Sequence, residues 1–147
     1  MSRPDHRRIS AGRRRRGPTT AAMMRRPLLG EVITLPDALL ERYPELGDAT
    51  WRAGGLPPRI GGLFLGRKSV AGITLWRTVF LAPGVALHPE LLLHELGHVR
   101  QFGASPWFPL RYLWESVRRG YSRNRYELQA QAFAESRLRG STLLRHA

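Results

Sequence analysis

The chain of 147 residues contains no cysteine. That absence excludes disulfides and thiolate metal sites, so any zinc has to be held by nitrogen and oxygen donors. Lysine is nearly missing too: of 24 basic residues, only Lys68 is a lysine. Acid is scarce, with 11 carboxylates in all and no aspartate after Asp48, and no histidine occurs between positions 99 and 144. No apolar run approaches the ~18 residues that span a bilayer. The basic start also lacks the apolar stretch of roughly 7 to 15 residues that a secretory signal needs. The expectation is a cytoplasmic chain without a transmembrane segment.

What is present points to one domain with a charged extension. Hydrophobic residues make up 42% of the chain, an ordinary globular fraction, and the length suffices for a real core. The net charge of +13 is concentrated at the start, where residues 1 to 26 hold nine arginines against Asp5. Blocks of like charge such as Arg13 to Arg16 favour a solvated, disordered tail that contacts nucleic acid or anionic surfaces nonspecifically. The expected organisation is therefore a basic tail over 1–26, a folded domain over 27–140 and a short tail over 141–147.

Along the domain, Glu31 to Leu35 predicts an entry strand and Asp37 to Tyr43 a helix stopped by Pro44. Residues 47 to 62, rich in Gly and Pro, predict a connector. Leu63 to Leu65 is expected as a strand, Gly66 to Ser69 as a turn, and Val70 to Leu81 as a longer strand region. Together they predict a small antiparallel sheet. Three helices are expected to follow, over Pro89–Phe102, Trp107–Arg119 and Arg125–Arg139, which makes the fold class α+β. On the second of them Trp107, Leu110, Leu113, Trp114 and Val117 share one face, and core packing is the expected use of that stripe, ahead of a ligand wall or membrane contact.

The first of the three helices carries His94-Glu95-Leu96-Gly97-His98. Histidines four apart lie one above the other on a helix, so both imidazoles can reach one ion while the glutamate stands beside that ion's water. A shuffled chain of this composition would show the pattern with a frequency of roughly 0.01, so chance explains it poorly. Pro89 suits the first helical position and Glu90 the first turn. Leu92, Leu93, Leu96 and Val99 give the helix a face to bury, and His88, off the ligand face, is expected at the helix entry.

A catalytic zinc takes three protein ligands and keeps a fourth position open. With no nearby third histidine, a carboxylate is required, and Glu115, Glu127 and Glu135 are the ones downstream of the motif. Glu127 is favoured because Ala130 and Ala134, on the following turns, let its helix approach the motif helix closely. Glu115 could instead orient a histidine from behind, and Glu135 is expected on a solvated face. Glu95 would be the general base, and Tyr121, Tyr126 or Arg123 could donate to a developing oxyanion.

The two segments His94-Glu95-Leu96-Gly97-His98 and Asn124-Arg125-Tyr126-Glu127-Leu128-Gln129-Ala130 resemble the zincin metallopeptidases of the gluzincin type, particularly the small bacterial minimal zincins. The resemblance covers about residues 60 to 138. It implies His94, His98 and Glu127 as ligands of Zn2+, and a sheet edge that holds extended peptide, a role Val70 to Phe80 could fill. It also implies a hydrolase in which zinc-bound water, activated by Glu95, attacks a peptide carbonyl of a peptide or protein substrate. The competing expectation is a noncatalytic or basic nucleic-acid- or protein-binding module that retains the fold.

Overall fold

The computed structural model describes residues 28–64 and 71–143, so the basic tail, the 66–69 turn and His146 lie outside the described residues. Strand β1 (Glu31–Val32) leads to helix α1 (Asp37–Arg42), whose acid-first, base-last ends suit the helix dipole. A 3-10 turn over Pro44–Asp48 follows, then strand β2 (Thr50–Ala53) and helix α2 (Pro57–Phe64). Strands β3 (Gly72–Leu75) and β4 (Thr78–Leu81) form a hairpin. Helices α3 (Pro89–Ala104), α4 (Phe108–Arg119) and α5 (Arg125–Leu143) complete the chain.

The architecture is α+β, as the order of patterns predicts, but the sheet is mixed. Its order is β1-β2-β4-β3, with β2 parallel to β4 and the other two pairs antiparallel. The Gly/Pro-rich connector contains β2 and α2. Trp51 fixes β2, because its ring is buried and its indole N–H donates to Leu46 O at 2.9 Å. Leu63 and Phe64, expected in a strand, belong to the end of α2, which opens on Pro57-Pro58 where proline's missing N–H costs nothing. The single long strand expected after Val70 is split by a turn at Trp76-Arg77. Trp76 there has φ 54°, and its ring packs on Phe102 with centroids 5.7 Å apart. Ser141, expected in a tail, lies within α5 and accepts from Arg42 Nε at 3.0 Å.

The core lies between the sheet and α3, built from Leu46, Trp51, Val79 and Leu81 against Leu92, Leu93, Leu96 and Val99. Helix α5 crosses the other side of α3, and both Ala130 and Ala134 are buried there. The approach is so close that a Cβ on Gly97 would stand 3.0 Å from Ala130 Cα. Glycine normally weakens a helix interior by about 1 kcal/mol relative to alanine, and here it admits the neighbouring backbone. Gly97→Val is expected to lower stability by about 1–3 kcal/mol through overpacking, read by thermal unfolding. An unchanged melting temperature would show that the helices separate freely.

At its outer side α5 is tied to the 3-10 turn by Arg137 Nε and Glu45 Oε1, 2.5 Å apart. Burial opposes ionisation of Glu45, but the bond and charge of Arg137 outweigh it and hold the carboxyl below its ordinary value. A depressed carboxyl contributes stability above the unfolded-state pKa and loses it as pH falls through the folded-state value. Arg137→Gln should therefore cost under about 1 kcal/mol at pH 7, since the arginine is half exposed, with the difference from wild type shrinking below about pH 4. Chemical denaturation at the two pH values reads this; a gap that widens in acid would contradict it.

The stripe on α4 does not face the core. Trp107, Leu110, Leu113, Trp114 and Val117 are 63, 61, 58, 66 and 76% exposed, whereas the opposite side buries Phe108 and Glu115. Amphipathicity orients a helix only where something covers its apolar side, and in α4 the aromatic contacts of Phe108 with Phe102 and Tyr126 decide the orientation instead. No helix among the described residues is long and apolar enough to cross a membrane.

Candidate metal centre

Helix α3 begins where the sequence pattern places it, with His88 as N-cap, Pro89 in the first turn and Glu90 beside it. Its fold-facing side buries Glu95 and His98 while His94 stays partly exposed. Helix α5 is started by Asn124, fully buried, whose Oδ1 accepts from the Tyr126 N–H at 2.9 Å. Asn124 Nδ2 donates to Ser116 Oγ at 2.8 Å and Tyr112 O at 3.2 Å, which fixes the angle between α4 and α5. One cap thus sets the position of Glu127 three residues later.

Glu127 arrives opposite both histidines. Its Oε2 is 3.2 Å from His94 Nε2, its Oε1 is 3.2 Å from His98 Nε2, and the two Nε2 atoms are 3.2 Å apart. One ligand atom from each residue lies within 4.8 Å of the others. Donors about 2.0–2.1 Å from a tetrahedral zinc lie roughly 3.3–3.4 Å apart, a spacing that the two Nε2 atoms approach at 3.2 Å, while Glu127 reaches each histidine with a different carboxylate oxygen. The donor set of two imidazoles and one carboxylate is also the chemistry of a three-ligand zinc site.

The surroundings orient these donors. Gln101 Nε2 donates to Tyr126 O at 2.9 Å, which leaves Gln101 Oε1 to accept from His98 Nδ1 at 2.9 Å. With a proton held on Nδ1, His98 would turn a lone pair on Nε2 toward a bound ion. Tyr112 Oη donates to Glu127 Oε1 at 2.5 Å. Burial and the adjacent Glu127 charge push the Tyr112 phenol far up, so it stays a donor. Burial alone would raise Glu127, but the bonds from His94, His98 and Tyr112 hold its carboxyl well below the usual range. Burial opposes a charge on His98, yet Glu127 and Glu95 outweigh it and shift its pKa upward.

Glu95 sits next to the donors and points toward the sheet. Thr74 Oγ1 donates to Glu95 Oε2 at 2.7 Å and lies 3.2 Å from Glu95 O. Burial raises the Glu95 pKa in spite of the histidines and Thr74, which makes it a stronger base than an exposed glutamate. Its other oxygen lies where a side chain on β3 would be, since a Cβ on Gly72 would meet Glu95 Oε1 at 2.6 Å. Gly72→Ala is expected to displace the carboxylate and weaken whatever proton transfer it performs while leaving metal content unchanged. Calorimetric metal titration beside a rate assay separates the two effects, and metal loss would instead make Gly72 part of the ligand support.

The centre opens into a cleft of about 670 Å³, with Gly72 to Leu75 on one wall and Phe108, Tyr112, Leu113 and Val117 on the other. Strand β3 is an edge of the sheet among the described residues. Tyr121 lines this cleft, whereas Tyr126 and Arg123 are absent from its lining. Tyr126 instead packs on Phe108 and accepts from Arg125 Nη2 at 2.7 Å. Glu115 is buried beside Arg119, with Nε and Oε1 3.2 Å apart, and the residue that orients His98 is Gln101. Glu135 pairs along the outer face of α5 with Gln131 and Arg139. Sequence reasoning missed Gln101, Tyr112, Thr74 and Gly72. Only Gln101, one helical turn after His98, left a readable signal.

No protein-family model matches the chain, and neither the curated proteins nor the solved structures contain a significant match to it.

Proposed function

We propose that the protein is a zinc-dependent metallopeptidase-like hydrolase. The observation that carries this reading is the convergence of His94, His98 and Glu127 with Glu95 alongside, where Glu95, His98 and Glu127 line a cleft bounded by an edge strand. When bound, zinc supplies Lewis acidity, lowering the pKa of water toward about 7 and polarising a carbonyl.

The chain's own residues provide the rest. Glu95, with its raised pKa and the Thr74 bond fixing its orientation, takes the proton from the attacking water. It then passes that proton to the amine as the C–N bond breaks. The edge of β3 offers backbone groups to an extended peptide, which pairs there as an added strand. Tyr121, which lines the cleft, donates to the oxyanion in this reading. Tyr112 and Gln101 hold the ligand side chains in register.

Incubating the zinc-loaded full chain with a mixture of unstructured peptides, and reading products by mass spectrometry, tests the proposal. New termini that vanish on chelation and return with zinc are the expected result. Stoichiometric zinc with every peptide intact would favour the noncatalytic module that keeps the same arrangement. Failure to bind zinc at all would remove the reading.

A further inference from the structure

Helix α4 carries an apolar face that the described residues leave exposed. Leu110, Trp114 and Val117, at positions i, i+4 and i+7, share one side of the helix, and Trp107 extends that side at the N-cap. Phe108 and Glu115, seven apart, occupy the buried side. Arg111 and Arg118 are exposed, and helical spacing sets both at the border of the apolar face. The helix's one acid, Glu115, is buried and paired with the exposed Arg119, and adds no negative charge there.

We infer that α4 is an interfacial docking helix that lays Trp107, Leu110, Trp114 and Val117 into the headgroup region of an anionic lipid bilayer. Apolar and tryptophan side chains bordered by arginines are what such an interface selects: the rings sit at the headgroup level and the guanidinium groups meet lipid phosphates. The shape of the face agrees. The shallow surface beside Trp114 is lined by Trp107, Leu110, Arg111 and Trp114, all from one helical segment, so among the described residues no second element builds a wall of a groove. A partner helix docked in a groove needs two walls and an added strand needs a sheet edge, whereas a fluid interface needs no shaped complement.

Charge argues against two other occupants. An antiparallel two-fold contact with a second copy would set Arg111 and Arg118 of one copy beside the same residues of the other. The arginine-rich segment over residues 1–26 would likewise bring positive charge to a positive border. Its charge adds instead to attraction by an anionic surface. Leu113 and Val117 also line the cleft, so docking through α4 would set the cleft mouth beside the bilayer surface.

The test is co-sedimentation of the full chain with vesicles of equal parts phosphatidylglycerol and phosphatidylcholine, against phosphatidylcholine alone, in 0.15 M and 0.5 M salt taken as roughly physiological and strongly screening conditions. Binding to the anionic vesicles is expected, part of it surviving the higher salt, with tryptophan emission shifted to the blue and quenched by lipids brominated near the headgroup. The double variant Leu110→Ser, Trp114→Ser should lower partitioning by at least roughly tenfold, and Trp114→Phe should retain most of it. Both side chains are exposed, and unchanged zinc binding by each variant verifies the fold. Equal partitioning of double variant and wild type would assign binding to arginines elsewhere and overturn the inference. So would a wild type that leaves vesicles unbound, or one that dimerises through this face.

Discussion

Replacing Glu95 by glutamine is expected to reduce peptide hydrolysis by about two to four orders of magnitude, the usual contribution of a positioned general base. The substitution preserves shape where shape matters most. Glutamine's amide fits the space that Gly72 leaves open, and its carbonyl oxygen can still accept from Thr74 Oγ1. What it loses is the ability to take a proton. The metal donors are untouched, so zinc stoichiometry should stay at the wild-type value. Stability should not fall either, because a buried carboxylate disfavoured by desolvation becomes a neutral amide. The expected signature is thus three readings together: turnover lost, zinc retained, melting temperature equal or higher. Turnover equal to wild type would show that another group handles the proton and would sink the role given to Glu95.

A contrast between local and distant determinants explains what the sequence discloses. The pairing of His94 with His98 is readable because helix geometry alone puts residues four apart on one face. Glu127 is readable for a second local reason, the small residues Ala130 and Ala134 on its own helix, and Gly97 on α3 supplies the matching gap. The strand β2 is hidden because four residues between Gly/Pro turns carry too short an alternation to register, and only the buried Trp51 betrays it. Its parallel pairing with β4 depends on the path through α2, which no local pattern encodes.

Helix α4 illustrates the limit most clearly. Its periodicity correctly indicates one apolar face, but periodicity is silent on whether another element covers that face. The side that does pack is held by aromatic contacts of Phe108 and by hydrogen bonds from Tyr112 and Asn124, residues whose partners are 12 to 15 positions away in sequence or sit on α3. Tyr112 escapes notice for the same reason. Its spacing within α4 has no meaning until Asn124 fixes the angle at which α5 brings Glu127 to it.

Glu127→Ala is expected to uncouple the protein from metal, and the effect should appear in stability as well as in binding. Ligand that binds only the folded state stabilises it by RT ln(1 + [L]/Kd), about 4 kcal/mol at a thousandfold excess over Kd. For a domain of this size that corresponds to a rise in melting temperature of roughly 8–16 °C, at about 2–4 °C per kcal/mol. Wild type should therefore melt lower in a strong chelator than in zinc. Without Glu127 the centre keeps two histidine donors, fewer than the three a catalytic zinc requires, so the chelator should no longer move the transition. Comparison in chelator then isolates the carboxylate's structural part. Removing it leaves Tyr112 Oη, half-buried and forced to remain protonated, without its acceptor, while the histidines lose the charge that draws them together. A melting temperature below that of chelated wild type would locate Glu127 in the framework between α3, α4 and α5 as well as at the centre. A variant that still gains stability from zinc as wild type does would remove Glu127 from the ligand set, and with it the argument that α5 completes the site.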